Sequence, residues 1–216
     1  MKPTPKSFTV ERSGWSSILS KAPDGKKVLA LFIVSNLVYV LMLTVTIPQV
    51  QQYSGGLLPF DIMPTGYGID YAQTFLDSLG EEGRHYYLTR QLALDMIYPA
   101  LYALAGAAVW LWLLGKFQSR TAFPSWICVL PLISGAADYI ENGLVITLLM
   151  HFPTISPSIV WLSSVSTVFK SGVMMFFALL LILLVLSIGL RRLSNGGLDL
   201  APHSGEGNAS NATELS

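Results

Sequence analysis

The sequence predicts an all-α protein: a polytopic four-transmembrane-helix bundle with a short amphipathic helix in its first extracytoplasmic loop. Two observations lead to this class. Just over half of the 216 residues are apolar (52%) and only 12% are Asp, Glu, Lys or Arg, whereas a soluble domain carries about a quarter charged residues. Uncharged runs also recur at the length of about 20 residues that a helix needs to cross a bilayer. Lipid offers no partner to backbone amides, so such runs are expected to be helices.

Four such stretches divide the chain into predicted spans at about 28–48, 88–115, 124–150 and 160–190. Residues 28–190 therefore form the transmembrane domain, with an outer loop at 49–87. Residues 1–27 form a basic N-terminal segment. Residues 191–216, rich in Gly, Ser and Asn, are expected to be a disordered tail.

Lys and Arg residues indicate the orientation of these spans. Segment 1–27 is basic, Lys116 and Arg120 lie between the second and third spans, and Arg191 and Arg192 follow the fourth. The loop between the third and fourth spans contains no Lys or Arg. Because cytoplasmic loops are enriched in these residues, both termini are predicted to be cytoplasmic and the loop at 49–87 to lie outside. The sequence does not indicate which membrane is crossed.

The first loop contains a periodic segment at 69–79. Its apolar residues recur at helical spacing, and the predicted apolar face consists of Ile69, Ala72, Phe75, Leu76 and Leu79. We predict an amphipathic helix that lies on the outer surface of the bundle. Gly80 and a charged turn at 81–84 are expected to end it.

Charged residues within the spans are predicted to share one depth. Asp95, Glu141 and Lys170 each lie 21 residues from a basic residue at the inner end of their span, which is about 30 Å along a helix. Asp138, Glu141 and Asn142 share one face of the third helix, where Lys170 can meet them. Ionisable residues inside a membrane span mark function by default.

These residues supply the candidate site. Two acids one turn apart in a low dielectric are not expected to ionise together. The candidate proton-transfer acids are Asp138, Glu141 and Asp95. The candidate ligand-binding residues are Lys170, Arg84, Arg90, Asn142, Tyr98 and Gln91, with the basic ones expected to hold an anionic group. Pro99 cannot donate a hydrogen bond to the carbonyl of Asp95, so that oxygen is expected to be free beside the acid.

Small residues are expected to let the second and third helices approach closely at and below this depth. They are Ser134, Gly135, Ala136 and Ala137 on the third helix and Ala103, Gly106 and Ala107 on the second.

Other classes of site are excluded or weak. The formal net charge is zero, which argues against a basic nucleic-acid binder. A single cysteine, Cys128, allows no intrachain disulfide framework. The hydrolase patterns G-x-S-x-G and H-E-x-x-H do not occur. His85 and His151 come from separate loops, and we predict no metal and no cofactor.

Asp95, Asp138, Glu141 and Lys170 form what we call the charged layer. We interpret this layer as a one-sided, outward-facing ionic site that binds or modifies a lipid head group or a small amphiphile. Whether the protein is an enzyme stays open. One alternative is a membrane scaffold or partner-binding subunit whose charges are an interhelical clamp. A second is a proton- or ion-coupled transporter that acts as an oligomer, because the polar lining of one chain stops partway. The expected partners are membrane lipids, an amphiphile ligand, and a membrane protein or a second copy of the chain, but no nucleic acid.

Overall fold

A computed structural model describes residues 23–117 and 123–196, and over these residues the chain forms helices and loops without strands. Besides a short 3-10 helix at Phe60–Ile62, these residues form five longer helices. They are α1 (Gly25–Tyr53), α2 (Ile69–Ser78), α3 (Gly80–Phe117), α4 (Ser125–His151) and α5 (Pro157–Gly196). Four of them, α1, α3, α4 and α5, are long and apolar enough to cross a membrane.

The four long helices pack in the order of the chain. The first packs on α3, α3 packs on α4, and α4 packs on α5 in the most extensive interface. Within the described residues, α1 and α5 share no comparable interface. A cleft therefore separates the first helix from the last.

The outward faces of α1 and α5 are apolar. Leu37 is 63% exposed on α1, and Met175 is 73% and Leu190 67% exposed on α5. Large apolar surfaces of this kind are a liability in water. They are the expected outer surface of a helix that faces lipid.

Two apolar clusters lie at opposite ends of the long helices. The first joins the loop and α2 to the helix ends, and its fully buried members include Phe60, Phe75, Leu76, Tyr87 and Leu148. The second lies toward the other ends, with members Trp110, Leu114, Ile127, Cys128, Phe177, Leu184 and Ile188. Along α3, α4 and α5, the buried polar and charged side chains come between the two clusters.

The loop helix α2 covers Ile69–Ser78 and points its apolar residues inward. Ala72, Phe75 and Leu76 are fully buried, and Leu79 follows just beyond the helix end at 3% exposure. Ile69 is 36% exposed. The buried face of α2 thus starts at Ala72 and not at Ile69.

The charged segment after α2 differs from the prediction. Residues 81–84 are not a turn, since α3 begins at Gly80 and its first helical segment is Gly80–Tyr86. Leu79 alone separates the two helices, and Gly80 begins the new helix with a φ of 61° that glycine adopts readily. Glu81 and Glu82 fall in the first turn of the new helix, where negative charge is favourable.

Other helix ends extend beyond the predicted spans. The first helix runs from Gly25 to Tyr53, past both ends of the range 28–48. The last helix continues through Arg191 and Arg192 to Gly196, so the tail does not begin at 191. The basic residues 1–22 and the tail residues 197–216 lie outside the described part of the chain.

Both α1 and α3 are irregular near the charged layer. Met42–Thr46 in α1 and Tyr87–Gln91 in α3 form π-helical turns. The first of these precedes Pro48, which cannot donate to the helix. The hydroxyl of Thr46 in one π-turn donates to the side-chain oxygen of Gln91 in the other. Single π-turns inside helices occur frequently at functional sites.

Candidate functional site

The centre of the layer is an ion pair network between α4 and α5. Lys170 Nζ lies 2.6 Å from Asp138 Oδ1 and 2.5 Å from Glu141 Oε2. The side chains of the lysine and the two acids are 11%, 5% and 0% exposed. Thr167 Oγ1 donates to Glu141 Oε1 at 2.5 Å. One ammonium group is therefore shared by two buried carboxyl groups.

Asp95 joins this layer from α3 through its backbone. Pro99 leaves the Asp95 carbonyl without its helical donor, and Asn142 Nδ2 of α4 donates to that oxygen at 2.8 Å. Asp95 Oδ2 and Asn142 Oδ1 are buried and have no hydrogen-bond partner among the described residues. Buried polar atoms without partners are rare in native structures, so this part of the layer has spare hydrogen-bonding capacity.

Asp61 enters the layer from the loop, although it is not among the residues predicted from the sequence. Tyr87 Oη donates to Asp61 Oδ1 at 3.0 Å, and Gln91 Nε2 donates to Asp61 Oδ2 at 3.3 Å. Through Gln91, this acid is connected to Thr46 on α1. A signal was present, since Asp61 is the only charged residue between positions 49 and 69.

The loop is held over the layer by α5. The backbone N–H of Tyr67 donates to Ser164 Oγ at 2.8 Å, and Tyr67 Oη donates to Ser163 Oγ at 2.7 Å. Burial raises the pKa of Tyr67 above its ordinary value, so its hydroxyl stays protonated and remains a donor. Gly66 has a φ of 80°, and a Cβ there would lie 2.7 Å from Ser164 Oγ. The turn can approach α5 this closely because position 66 is glycine.

A cavity of about 450 Å³ borders the ion pair network. Its polar lining is Asp61, Asp138, Lys170, Ser134 and Ser171, and its apolar lining is Ile62, Pro64, Met174, Met175 and Ala178. Tyr39, Tyr98 and Tyr102 line the remainder. Because these residues come from the loop and from all four long helices, the cavity lies where α1 and α5 fail to pack.

The three tyrosines form a continuous aromatic wall. The rings of Tyr39 and Tyr98 are stacked, with centroids 5.4 Å apart and planes at 14°. The rings of Tyr98 and Tyr102 are 5.0 Å apart at 51°. Tyr102 Oη also lies 3.1 Å from Ser134 Oγ, which joins α3 to α4 beside the cavity.

The structure brings most of the sequence-predicted residues to the charged layer, but only some of them line the cavity. Asp138, Lys170 and Tyr98 line the cavity. Glu141 and Asn142 are fully buried, and Asp95 is 3% exposed. These three are not among the cavity-lining residues.

Gln91, Arg84 and Arg90 do not line this cavity. Gln91 is buried between Thr46 and Asp61. Arg84 Nη1 donates to the Leu76 carbonyl at 2.8 Å. Its guanidinium packs over the ring of Phe152, which directly follows α4.

Arg90 is exposed and lines a separate cavity with Glu82 and His85. Neither arginine therefore shares the cavity that Lys170 lines, because the rotation of α3 directs positions 84 and 90 to other surfaces. That the basic residues hold an anionic group stays a prediction.

The described residues contain no group of three or more His, Cys, Asp or Glu arranged to hold a metal ion. His151 Nδ1 lies 2.8 Å from the Thr147 carbonyl at the end of α4, and His85 borders the cavity of Arg90. The acids of the layer are instead associated with hydrogen-bond donors and with Lys170.

The fold defines a class: a protein with four helices long and apolar enough to cross a membrane, with a buried ionic network between them. Comparisons with protein-family models, curated proteins and solved structures find no match to this chain. The function is therefore argued from the site itself.

Proposed function

We propose that the protein is a multipass membrane protein that binds an amphiphile. The head group lies beside Asp138 and Lys170, and the apolar chain extends between α1 and α5. The observation that carries the proposal is the cavity of about 450 Å³ whose lining combines charged and apolar residues, with Met174 and Ala178 one and two turns beyond Lys170 on α5. Its volume lies in the range of about 300–1,000 Å³ that is typical of small-molecule sites.

Access from the lipid phase supports an amphiphile rather than a water-soluble ligand. Tyr39 on α1 is 40% exposed and Met175 on α5 is 73% exposed, and both line the cavity. The cleft between these helices gives an alkyl chain a path into the bilayer without crossing a polar surface.

We place the site toward the non-cytoplasmic side, with both termini in the cytoplasm. The supporting feature is charge distribution along the helices. Lys116, Arg191 and Arg192 are at the helix ends opposite the loop, and basic residues favour the cytoplasmic side. The loop that carries Asp61 and the amphipathic helix α2 then covers the outer end of the bundle.

Transport through one chain is less well supported. The second apolar cluster, around the fully buried Trp110, Phe177 and Leu184, lies beyond the ionic layer along the helices. An ion path needs polar groups along its length. The layer is thus accessible from one side only, unless a second protomer adds a lining.

The chemistry available at the site centres on Asp138. Among the three candidate proton-transfer acids, it is the one that lines the cavity and contacts Lys170. Glu141 contacts Lys170 and accepts a hydrogen bond from Thr167, and this arrangement fixes the position of the lysine. A proton exchanged with a bound ligand would therefore pass through Asp138.

A structural clamp is the second candidate, and the ion pairs favour it. Lys170 of α5 contacts two acids of α4, which fixes the rotation and register of the two helices. Polar contacts between membrane helices are common and individually modest. A clamp explains the ion pairs, but it does not explain a cavity with an aromatic wall beside them.

Native mass spectrometry of the purified protein tests the amphiphile site. Ala178 lines the cavity, and its neighbour Leu179 is 53% exposed without lining it. We expect a bound amphiphile on the wild type and on Leu179→Trp, but a loss of about tenfold or more in occupancy for Ala178→Trp because the indole fills the cavity. Equal occupancy in the two variants, or no bound species in the wild type, contradicts the proposal.

A further inference from the structure

We infer that the amphiphile carries a cationic head group, a protonated or quaternary ammonium, on its alkyl chain. The inference rests on the proposed function and specifies its ligand. It is carried by two features of the cavity: an excess of carboxyl groups over basic groups, and a wall of three tyrosine rings.

The charges at the cavity are unbalanced. Asp61 and Asp138 line it, and Lys170 is the one basic residue among the described lining residues. That lysine already contacts both Asp138 and Glu141, so its single positive charge is shared by two carboxyl groups. A ligand cation can balance the second carboxylate.

Asp61 has no basic partner within the described residues. Its two oxygens accept from Tyr87 Oη and Gln91 Nε2, which are neutral donors. An anionic head group would therefore meet the carboxylate of Asp61 without a free ammonium or guanidinium to hold it. The guanidinium of Arg84 is directed to the Leu76 carbonyl instead.

The aromatic wall favours the same sign of charge. Cations are attracted to the faces of aromatic rings, and quaternary ammonium groups are recognised by such rings because they cannot donate hydrogen bonds. Tyr39, Tyr98 and Tyr102 line the cavity with Asp138 and Asp61. Rings and carboxylates together are the usual elements of an ammonium site.

An inorganic cation fits this lining less well. The described residues offer no set of three acidic, histidine or cysteine ligands to a metal ion. The apolar residues of α5 in the lining are Met174, Met175 and Ala178. Burying an alkyl chain against them is favourable, whereas they offer no ligand to a hydrated ion.

The test uses three photoactivatable probes with the same hexadecyl chain and different heads: trimethylammonium, phosphate and uncharged glycerol ether. The full chain is reconstituted in nanodiscs of neutral lipid, and labelled peptides are mapped by mass spectrometry. We expect the ammonium probe to label the segment of Met174 and Met175 about fivefold or more above the phosphate probe.

Two substitutions test the origin of the preference. Asp61→Asn removes a carboxylate, and Tyr39→Leu removes an outer ring that is 40% exposed. Each should lower ammonium labelling about threefold or more and leave the uncharged probe unchanged. The matched control is Asp77→Asn, which neutralises an exposed acid on α2 away from the cavity and should change none of the probes. Thermal unfolding of each variant verifies that it is folded.

The outcomes separate the two levels of the proposal. Equal labelling by the three heads, a preference for phosphate, or an ammonium preference that persists in both Asp61→Asn and Tyr39→Leu overturns the cationic head group. Uniform labelling along the lipid-facing surface of α5, with no enrichment at the cavity for any probe, overturns the amphiphile site itself.

Discussion

Replacing Lys170 with Met removes the ammonium that Asp138 and Glu141 share, while a side chain of similar length remains. Glu141 is fully buried and Asp138 is 4% exposed, so most of the surface of both carboxyl groups is removed from water. Removing one partner of a buried ion pair costs about 3–5 kcal/mol, because the other charge remains without compensation. We therefore expect Lys170→Met to lower the free energy of unfolding in detergent by about 3–5 kcal/mol.

Glu141→Gln and the double variant make this expectation specific. The single change leaves Lys170 paired with Asp138 and should cost about 1–3 kcal/mol. In the double variant the buried charge at 141 is absent, so the total loss should be smaller than the sum of the single losses by about 1–3 kcal/mol.

The assay is equilibrium unfolding of all four proteins in one detergent, with Lys116→Met as the control for removing a lysine. Lys116 is exposed and lies over the ring of Trp112 at 5.0 Å, so its loss should cost no more than about 1 kcal/mol. If Lys170→Met is as stable as Lys116→Met, or if the single losses add, the buried network does not have the energetic role assigned to it.

Two further predictions concern helix contacts. A Cβ at Gly135 would lie 2.9 Å from Ala103 Cβ, so Gly135→Val should force α3 and α4 apart and lower the free energy of unfolding by about 1–3 kcal/mol. The control is Gly143→Val, which has no atom within 4 Å of the new Cβ and should change the thermal midpoint much less. Equal midpoints for the two variants would refute the close approach of α3 and α4. Asn142→Leu leaves the Asp95 carbonyl without its donor and should cost about 1–3 kcal/mol; an unchanged midpoint would show that this bond contributes little.

Much of the helical architecture was predictable because the bilayer imposes length and polarity on the sequence. The number of long apolar helices follows from uncharged runs alone, and Pro99 indicated that the Asp95 carbonyl would need a donor. The meeting of Lys170 with Asp138 and Glu141 followed from helical rise and from the i, i+3 spacing of the acids. These are local or one-dimensional regularities.

The other parts of the site depend on loop turns, helix rotation and helix pairing, which a periodic apolar pattern does not determine. Asp61 reaches the layer because turns fold the loop back onto α3 and α5, and turn geometry is not periodic. Arg84 and Arg90 lie at a plausible depth but on other faces of α3, and depth alone does not give rotation. The cleft between α1 and α5 arises from which helix pairs pack, which the apolar pattern of either helix leaves open.

The proposed site requires that the polar cavity beside Lys170 opens toward the non-cytoplasmic side, and cysteine accessibility measures this opening. Cys128 is replaced by Ser, and a single cysteine is introduced at Ser171, which lines the cavity, or at Leu179, which does not. We predict that a membrane-impermeant cationic thiosulfonate added to the non-cytoplasmic face of oriented proteoliposomes modifies Ser171→Cys, and that a hexadecyl ammonium ligand slows the reaction. Leu179→Cys should stay unmodified. Modification of Ser171→Cys from the cytoplasmic side only, or equal reactivity at the two positions, would contradict the proposed opening.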